Sequence, residues 1–230
     1  MSDTDIAIHA ERVRLSSGGH RILPAITFDA AVGSIVALVG ASGTGKTSLL
    51  LALAGRMRGW NGSIRVFGAD AARDGKRVRQ LVGLGLMPGI NDLSPALTPA
   101  QHVAEQRAFA PRSQRSPRTD VLARVRLDAA ASIQVKLLDA EQCVRLGIAL
   151  ALVRDVRVLV VDDLDRDLDA EQRGRVVALL RELADEGLTV LVACVDEATA
   201  SEADMVVAVS EPDAAPAHTT TLEVPADALA

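Results

Sequence analysis

The chain has 230 residues, 49% of them hydrophobic and 24% charged, with a formal net charge of −5 and a pI near 5.4. That length suits one α/β domain with a small insertion and excludes a second large domain. The acidic balance, the lack of tyrosine and the single tryptophan leave little from which to build a nucleic-acid surface or a base-stacking platform.

In chain order, Ile6-Ala7-Ile8, Val13-Arg14-Leu15 and the segment 21–28 read as short antiparallel strands around a Ser-Ser-Gly-Gly turn at 16–19. Ser34 to Val39 reads as a buried strand and Ser48 to Ala54 as a helix stopped near Gly55. Gly62 to Gly68 and Val82 to Met87 follow as strands. From about 89 to 154 the pattern is mainly helical, broken by prolines at 95, 99, 111 and 117, and this stretch is the expected helical insertion. The densest basic stretch, RAFAPRSQRSPR at 107–118, reads as a solvated connection. Val156 to Val161, Ala170 to Asp185, Leu188 to Cys194 and Met205 to Val209 then alternate strand, helix, strand, strand, which implies parallel crossovers. The expected division is a single domain over 1–210 and a C-terminal tail over 211–230.

No apolar stretch reaches the roughly 18 residues that a membrane span needs. The N-terminal MSDTDIAIHAER is acidic and has no signal-peptide core, which points to the cytosol. Cys143 and Cys194 lie in apolar segments and read as buried reduced thiols, not as a disulfide or metal pair.

Residues 40–47, GASGTGKT, match the phosphate-loop pattern through Gly40, Gly45, Lys46 and Thr47, between the expected strand and helix that the motif requires. Glycines let the backbone curl so that N–H groups and a helix N-terminus point at phosphate oxygens, with Lys46 as a point charge and Thr47 as a hydroxyl for Mg²⁺. Gly40, Ser42, Gly43, Thr44, Gly45, Lys46, Thr47 and Ser48 are therefore the candidate ATP-binding residues. Thr47 is the candidate Mg²⁺ residue of the loop. Because ligands in parallel sheets bind at the carboxyl ends of strands, Gly40, Asp162 and Cys194 should lie near one edge.

The order of elements resembles the ATP-binding subunit of ABC transporters over almost the full length. Leu53-Ala54-Gly55 with Gly62 to Gly68, Pro95-Ala96-Leu97-Thr98, the run Ala151 to Leu159, and Asp167-Leu168-Asp169 each look like a family segment. The resemblance implies a P-loop fold of ABC type, with a mainly parallel central sheet, an N-terminal antiparallel β subdomain and a helical insertion, and it implies that Asp162, at the end of the strand Val160-Val161-Asp162, is a second Mg²⁺ residue, acting through water.

It also exposes departures. Gly89 stands where the family has a Mg²⁺-sensing glutamine. Leu138-Asp139-Ala140-Glu141-Gln142 stands for the LSGGQ signature, which in the family caps the γ-phosphate held by the opposite subunit. The two carboxylates there should oppose an anion unless protonated or turned away. Asp163 replaces the glutamate that polarises water and is the remaining catalytic candidate, one methylene short. Val195 replaces the switch histidine, and the adenine-stacking aromatic aligns near Ser17.

The resemblance thus implies a degenerate ATP-binding subunit of a membrane complex, holding Mg-ATP with weak or absent hydrolysis. It implies docking on the cytoplasmic side against a transmembrane permease subunit, with a second, different ATP-binding chain as partner and no nucleic acid. The alternatives are an active ATPase subunit using Asp163 as base and a soluble nucleotide-dependent regulator.

Overall fold

The runs Ile35–Val39, Val158–Val161 and Thr189–Cys194 have almost no polar face to turn toward water. The computed structural model, which describes residues 6–17, 20–21, 23–210 and 219–220, places them at the centre of a parallel sheet. In chain order the elements are β1 (Ile6–Ser17), β2 (His20–Arg21), β3 (Ile26–Ala31), β4 (Ile35–Val39), α1 (Lys46–Leu53), β5 (Trp60–Val66), β6 (Ala69–Asp70), α2 (Gly75–Leu81), β7 (Val82–Leu84), α3 (Pro99–Phe109), α4 (Val121–Arg124), α5 (Ala140–Leu152), β8 (Val158–Val161), α6 (Ala170–Asp185), β9 (Thr189–Cys194), α7 (Glu197–Ala200), β10 (Met205–Ala208) and β11 (Thr219–Thr220).

The main sheet has the order β11-β10-β4-β9-β8-β7, parallel from β10 to β7, with β11 antiparallel at its edge. Val39 pairs with Cys194 and Val161 with Val192, so the carboxyl ends of β4, β8 and β9 open onto one edge. This is the fold class that the sequence pattern and the family resemblance imply.

The second sheet runs β2-β1-β5-β6, with β3 also paired to β1. The two short N-terminal strands expected from the sequence are one continuous strand. Pairing survives the interruption through a bulge at Glu11–Arg14, where Arg12 takes a φ of 48° and donates its N–H to Thr27 Oγ1. Gly62 makes room for it, since a Cβ there would lie 2.5 Å from the carbonyl oxygens of Glu11 and Arg12. The expected strand over 21–28 is instead two pieces, β2 and β3. The central Gly-Gly of the expected turn lies outside the described residues, as does nearly all of the expected tail; only Thr219–Thr220 of it is described, paired with β10.

Both faces of the main sheet are covered. Leu38, Val160 and Leu191 pack with Leu50 and Leu53 of α1 and with the antiparallel sheet. Val190, Val192 and Leu159 pack on the other face against Leu146 and Ile148 of α5 and Leu179 and Leu183 of α6. Each buried leucine is worth about 2 kcal/mol relative to exposure, so these layers dominate the stability.

The proline-broken stretch is helical as expected. Thr98 caps α3 in a reciprocal box with Gln101, and Pro99 opens its first turn. Gly147 lets α5 press onto the segment after β7, because a Cβ there would sit 2.5 Å from the Leu86 nitrogen. The basic stretch is more built-in than a solvated connection would be. Ser116 is buried, Arg115 pairs with Arg154 in an isolated bridge and donates Nε to Ala110 O, and Arg107 donates to Ser116 O. Among the described residues no helix is long and apolar enough to cross a membrane.

Candidate functional site

Where β4 ends, the chain must turn sharply in little space. Gly40 donates its N–H to Cys194 O, and a Cβ on it would fall 2.0 Å from Val209 O. Glycine is required at that position by the chain leaving β10, independently of any ligand. Gly43 (φ 85°) and Gly45 (φ 92°) take left-handed conformations that other residues adopt at a cost. A Cβ at Gly43 would meet nothing within 4 Å, so that side of the loop is open. Gly45 is the N-cap of α1 and supplies no capping side chain, which leaves the first amides of the helix free to meet an acceptor.

Lys46 is only 5% exposed, and its Nζ donates to Gly40 O at 2.6 Å and Ala41 O at 2.8 Å. A buried ammonium has three donors and is poorly balanced by two carbonyls, so an anion beside it would complete its environment. Thr44 is buried with its hydroxyl donating to Ala41 O, whereas Ser42 is exposed and Ser48 half-buried.

Thr47 Oγ1 donates to Asp162 Oδ2 at 2.6 Å across the end of β8. Asp162 also accepts the Asp163 N–H on Oδ1. Burial holds the Asp162 carboxyl above the usual carboxylate range, partly offset by the Thr47 hydrogen bond. A hydroxyl and a carboxylate side by side are hard oxygen donors of the kind Mg²⁺ takes, and the lysine cradle beside them suits phosphate. The residues present fit Mg²⁺ and a nucleoside phosphate.

The flanking positions are differently arranged. Asp163 has a φ of 47°, and its carboxylate lies 3.2 Å from Arg166 Nη1. Gly89 is exposed and donates its N–H to Asp92 Oδ1, while Asn91 ties the loop to Met87 N and Gly85 O. Val195 is 49% exposed, and its amide and that of Asp196 both donate to Asp165 Oδ2. The side chain at Ser17 lies outside the described residues. Asn91, Asp165 and Arg166 belong to no motif that the sequence displays. Only the charge density of 162–171, DDLDRDLDAE, signals that something there is paired.

At the start of α5, Asp139 and Glu141 are turned to partners within the chain, the alternative to facing an anion. Asp139 is the N-cap, accepting the Gln142 N–H at 2.8 Å, while the Gln142 side chain accepts the Asp139 N–H. Glu141, 9% exposed, gives one oxygen to Arg145 and the other to Arg175 of α6. The Arg175 and then the Arg145 hydrogen bonds hold its carboxyl below the ordinary 4.5, against burial. Both carboxylates are consumed internally, and Glu141 ties α5 to α6.

A carboxyl depressed in the fold stabilises above its unfolded value and loses that contribution as pH falls through the lower folded value. Glu141→Gln, which leaves the buried Arg145 underpaired, is expected to lower unfolding free energy by about 2–3 kcal/mol at pH 7. The deficit should shrink on acidification below 4.5, as followed by denaturant titration at several pH values. A pH-independent deficit, or none, would mean that the clasp is not what stabilises this junction.

Beside this helix start lies a cavity of about 290 Å³ lined by Leu86, Pro88, Cys143, Asp163 and Arg166 among others. Cys143 is half-buried there, not fully buried as expected, and burial raises its thiol. Cys194 is fully buried and pushed up to about 12 by burial.

Comparison with known proteins agrees with this geometry. Residues 23–165 match the family described as ABC transporter. The chain is 34% identical over 98% of its length to the aliphatic sulfonates import ATP-binding protein SsuB 1 of Xanthomonas axonopodis pv. citri, covering 88% of that protein. It is 32% identical over 83% of its length to the macrolide export ATP-binding/permease protein MacB of Escherichia coli O157:H7, but spans only 30% of it. The fold superposes on cbiO1 from Clostridium perfringens, part of the cbiONQ complex, with a TM-score of 0.78 at 23% identity, covering 90% of this chain and 86% of that one. It also superposes on the dimeric ATP-binding cassette MJ0796 bound to ADP and Pi, with a TM-score of 0.76 at 19% identity, covering 92% and 98%.

Proposed function

The chain belongs to the ABC transporter family as an ATP-binding domain, and on that footing we propose that it is a degenerate ATP-binding subunit of a membrane transport complex. In this reading the amides of the 40–48 loop and Lys46 hold the phosphates of ATP. Thr47 and Asp162 hold Mg²⁺, with Asp162 acting through water. The metal, when bound, supplies charge neutralisation for the phosphates. The chain's own residues position and enclose the nucleotide, and Asp163 is the only carboxylate left at the family's base position. The unit spans 1–210, with its helical part over about 89–154 and a tail over 211–230.

The observation that carries the reduced-turnover reading is the state of α5. An intact phosphate loop faces a chain whose own equivalent of the signature is closed by Asp139 and clasped through Glu141. A second chain's γ-phosphate would meet an N-terminus already satisfied by a carboxylate, so neither the N–H groups nor the field favours it. Asp163 is engaged by Arg166 at 3.2 Å, so the candidate base is already paired with a cation. On this reading two copies of the chain would make two incomplete sites, and a different, complete ATP-binding chain is the partner. The permease would hold the pair at the cytoplasmic face of the membrane. The relatives' names cover both import and export, so family membership selects neither substrate nor direction.

Retention of a carboxylate at Asp163 favours a second reading, an active ATPase subunit. The two are separated by turnover measured on the chain alone and in its co-purified complex, with Asp163→Asn alongside. Turnover at background in the isolated chain, unchanged by Asp163→Asn, is expected. Brisk turnover abolished by Asp163→Asn would establish the active enzyme instead, and failure to co-purify any integral membrane protein would favour a soluble regulator.

A further inference from the structure

At the edge of the main sheet opposite the phosphate loop, the strand starts are crowded by arginine. Val158 and Thr189 pair at the amino ends of β8 and β9, and beside them the segment 116–118, α4 and the turn after α6 enclose a cavity of about 190 Å³. Arg118, Arg124, Arg154 and Arg157 line it, against the carboxylates of Asp155 and Glu186. In a chain whose 30 acids outnumber its 25 bases, four cations to two acids reverses the overall balance. The turn that carries Arg118 is fixed in place, because Ser116 N–H donates to Val153 O and Arg118 N–H donates to Ser116 Oγ.

The acids present do not neutralise these cations. Arg118 Nη1 and Arg124 Nη2 both donate to one and the same oxygen, Glu186 Oε2. Among the described residues Arg154, Arg157 and Asp155 have no group of opposite charge in ion-pair range. Arg154 Nη2 donates to Arg79 O and Gln114 Oε1, and the Arg157 guanidinium lies 3.4 Å from the centre of the Phe67 ring. Two donors are left over: among the described residues Arg124 Nε and Arg154 Nε are buried with no hydrogen-bond partner. A buried donor without an acceptor is costly, more so when it carries charge. Burial accordingly lowers the Arg154 guanidinium from its usual value. Like charges held together in a concavity focus a positive potential there.

We propose that this cavity is a binding site for a small free oxyanion of the phosphate class, held by Arg118, Arg124 and Arg154 with Arg157 at its rim. Guanidinium forks match the oxygens of such an anion in two-point pairs. The excess of two positive charges suits a doubly charged phosphate better than chloride or a single carboxylate. Size selects further. A volume of about 190 Å³ lies below the roughly 300 Å³ at which sites for drug-sized ligands begin, so the cavity admits inorganic phosphate and excludes a nucleotide. An anion there would join α4 and the 116–118 turn to the start of β8 and the end of α6, at the opposite edge of the sheet from the 40–48 loop. Its binding is therefore independent of whether that loop holds ATP or turns it over.

Inorganic phosphate is titrated into the full chain at constant ionic strength, with chloride and acetate as controls, while the thermal midpoint and the arginine Nε–H resonances are followed. The midpoint should rise with the logarithm of phosphate concentration once Kd is exceeded, and the Arg124 and Arg154 Nε–H signals should move with it. The 40–48 loop also suits phosphate, so the titration is repeated on Lys46→Ala, in which the response at the arginines is expected to persist. Arg118→Gln/Arg124→Gln should weaken phosphate by at least about tenfold, the scale of losing charge-assisted contacts. Glu186→Gln is the converse. It frees both arginines from a competing carboxylate and should tighten phosphate by about threefold, the scale of an exposed ion pair. It also keeps the question open to a decision should the double arginine variant fail to fold. No response beyond that to chloride, shifts confined to the 40–48 amides, loss of the arginine response in Lys46→Ala, unchanged affinity in a folded double variant, or no gain in Glu186→Gln would each overturn the assignment.

Discussion

Lys46→Ala is expected to weaken Mg-ATP binding by about a hundredfold, the equivalent of roughly 3 kcal/mol, which is the scale of a charge-assisted hydrogen bond to phosphate in a buried site. The reason is local. Lys46 Nζ is buried on two carbonyl oxygens of the same loop, so an arriving phosphate would meet a cation already aimed and largely desolvated. Calorimetric titration of wild type and variant with ATP and Mg²⁺ checks this, with thermal unfolding as the control for folding. Asp162→Asn should act differently. It removes a charge from the Thr47–Asp162 pair and should weaken the Mg²⁺ dependence of binding more than binding of free ATP. Equal affinity of wild type and Lys46→Ala would sink the assignment of the loop as the nucleotide site.

Reversing the departures is expected to have the other large effect. Asp163→Glu alone should raise turnover less than about tenfold. Asp163→Glu together with Asp139→Ser and Glu141→Gly should raise it by about a hundredfold or more, the scale on which misplacement of about 1 Å acts. The triple variant opens the end of α5 and lengthens the base, but it also loses the Glu141 clasp to Arg145 and Arg175. Its stability must therefore be measured beside its activity. The left-handed backbone at Asp163 tolerates aspartate better than most residues, so glutamate there carries a small conformational cost that limits the single change. Phosphate release under saturating ATP, for each variant at matched folded fraction, is the measurement. If wild type already hydrolyses briskly, the reduced-turnover reading fails, and the ion pair between Asp163 and Arg166 does not restrain catalysis.

Much of this molecule is readable as sequence because its signals are local. The apolar runs of β8 and β9 could only be central strands, and Gly45-Lys46-Thr47 between a strand and a helix could only be a loop of this shape. Helix α6 runs from Ala170 to Asp185, where the sequence pattern places it. The carboxyl ends of β4, β8 and β9 converge because parallel pairing leaves them nowhere else to go.

What the tertiary structure decided depends on partners distant in the chain. Asp139 and Glu141 look like repulsive charges in the linear order. In space, a helix N-terminus takes the first, and an arginine 34 residues away takes part of the second. The bulge that unites β1 needs Gly62 across the sheet, and Gly40 answers to Val209 as much as to any phosphate. The arginines at 118, 124 and 154 are unremarkable singly and line one cavity only when α4, α5 and α6 are packed together. Periodicity fixes which face of an element is buried. The identity of the charge opposite any given side chain is a property of packing, and no local pattern encodes it.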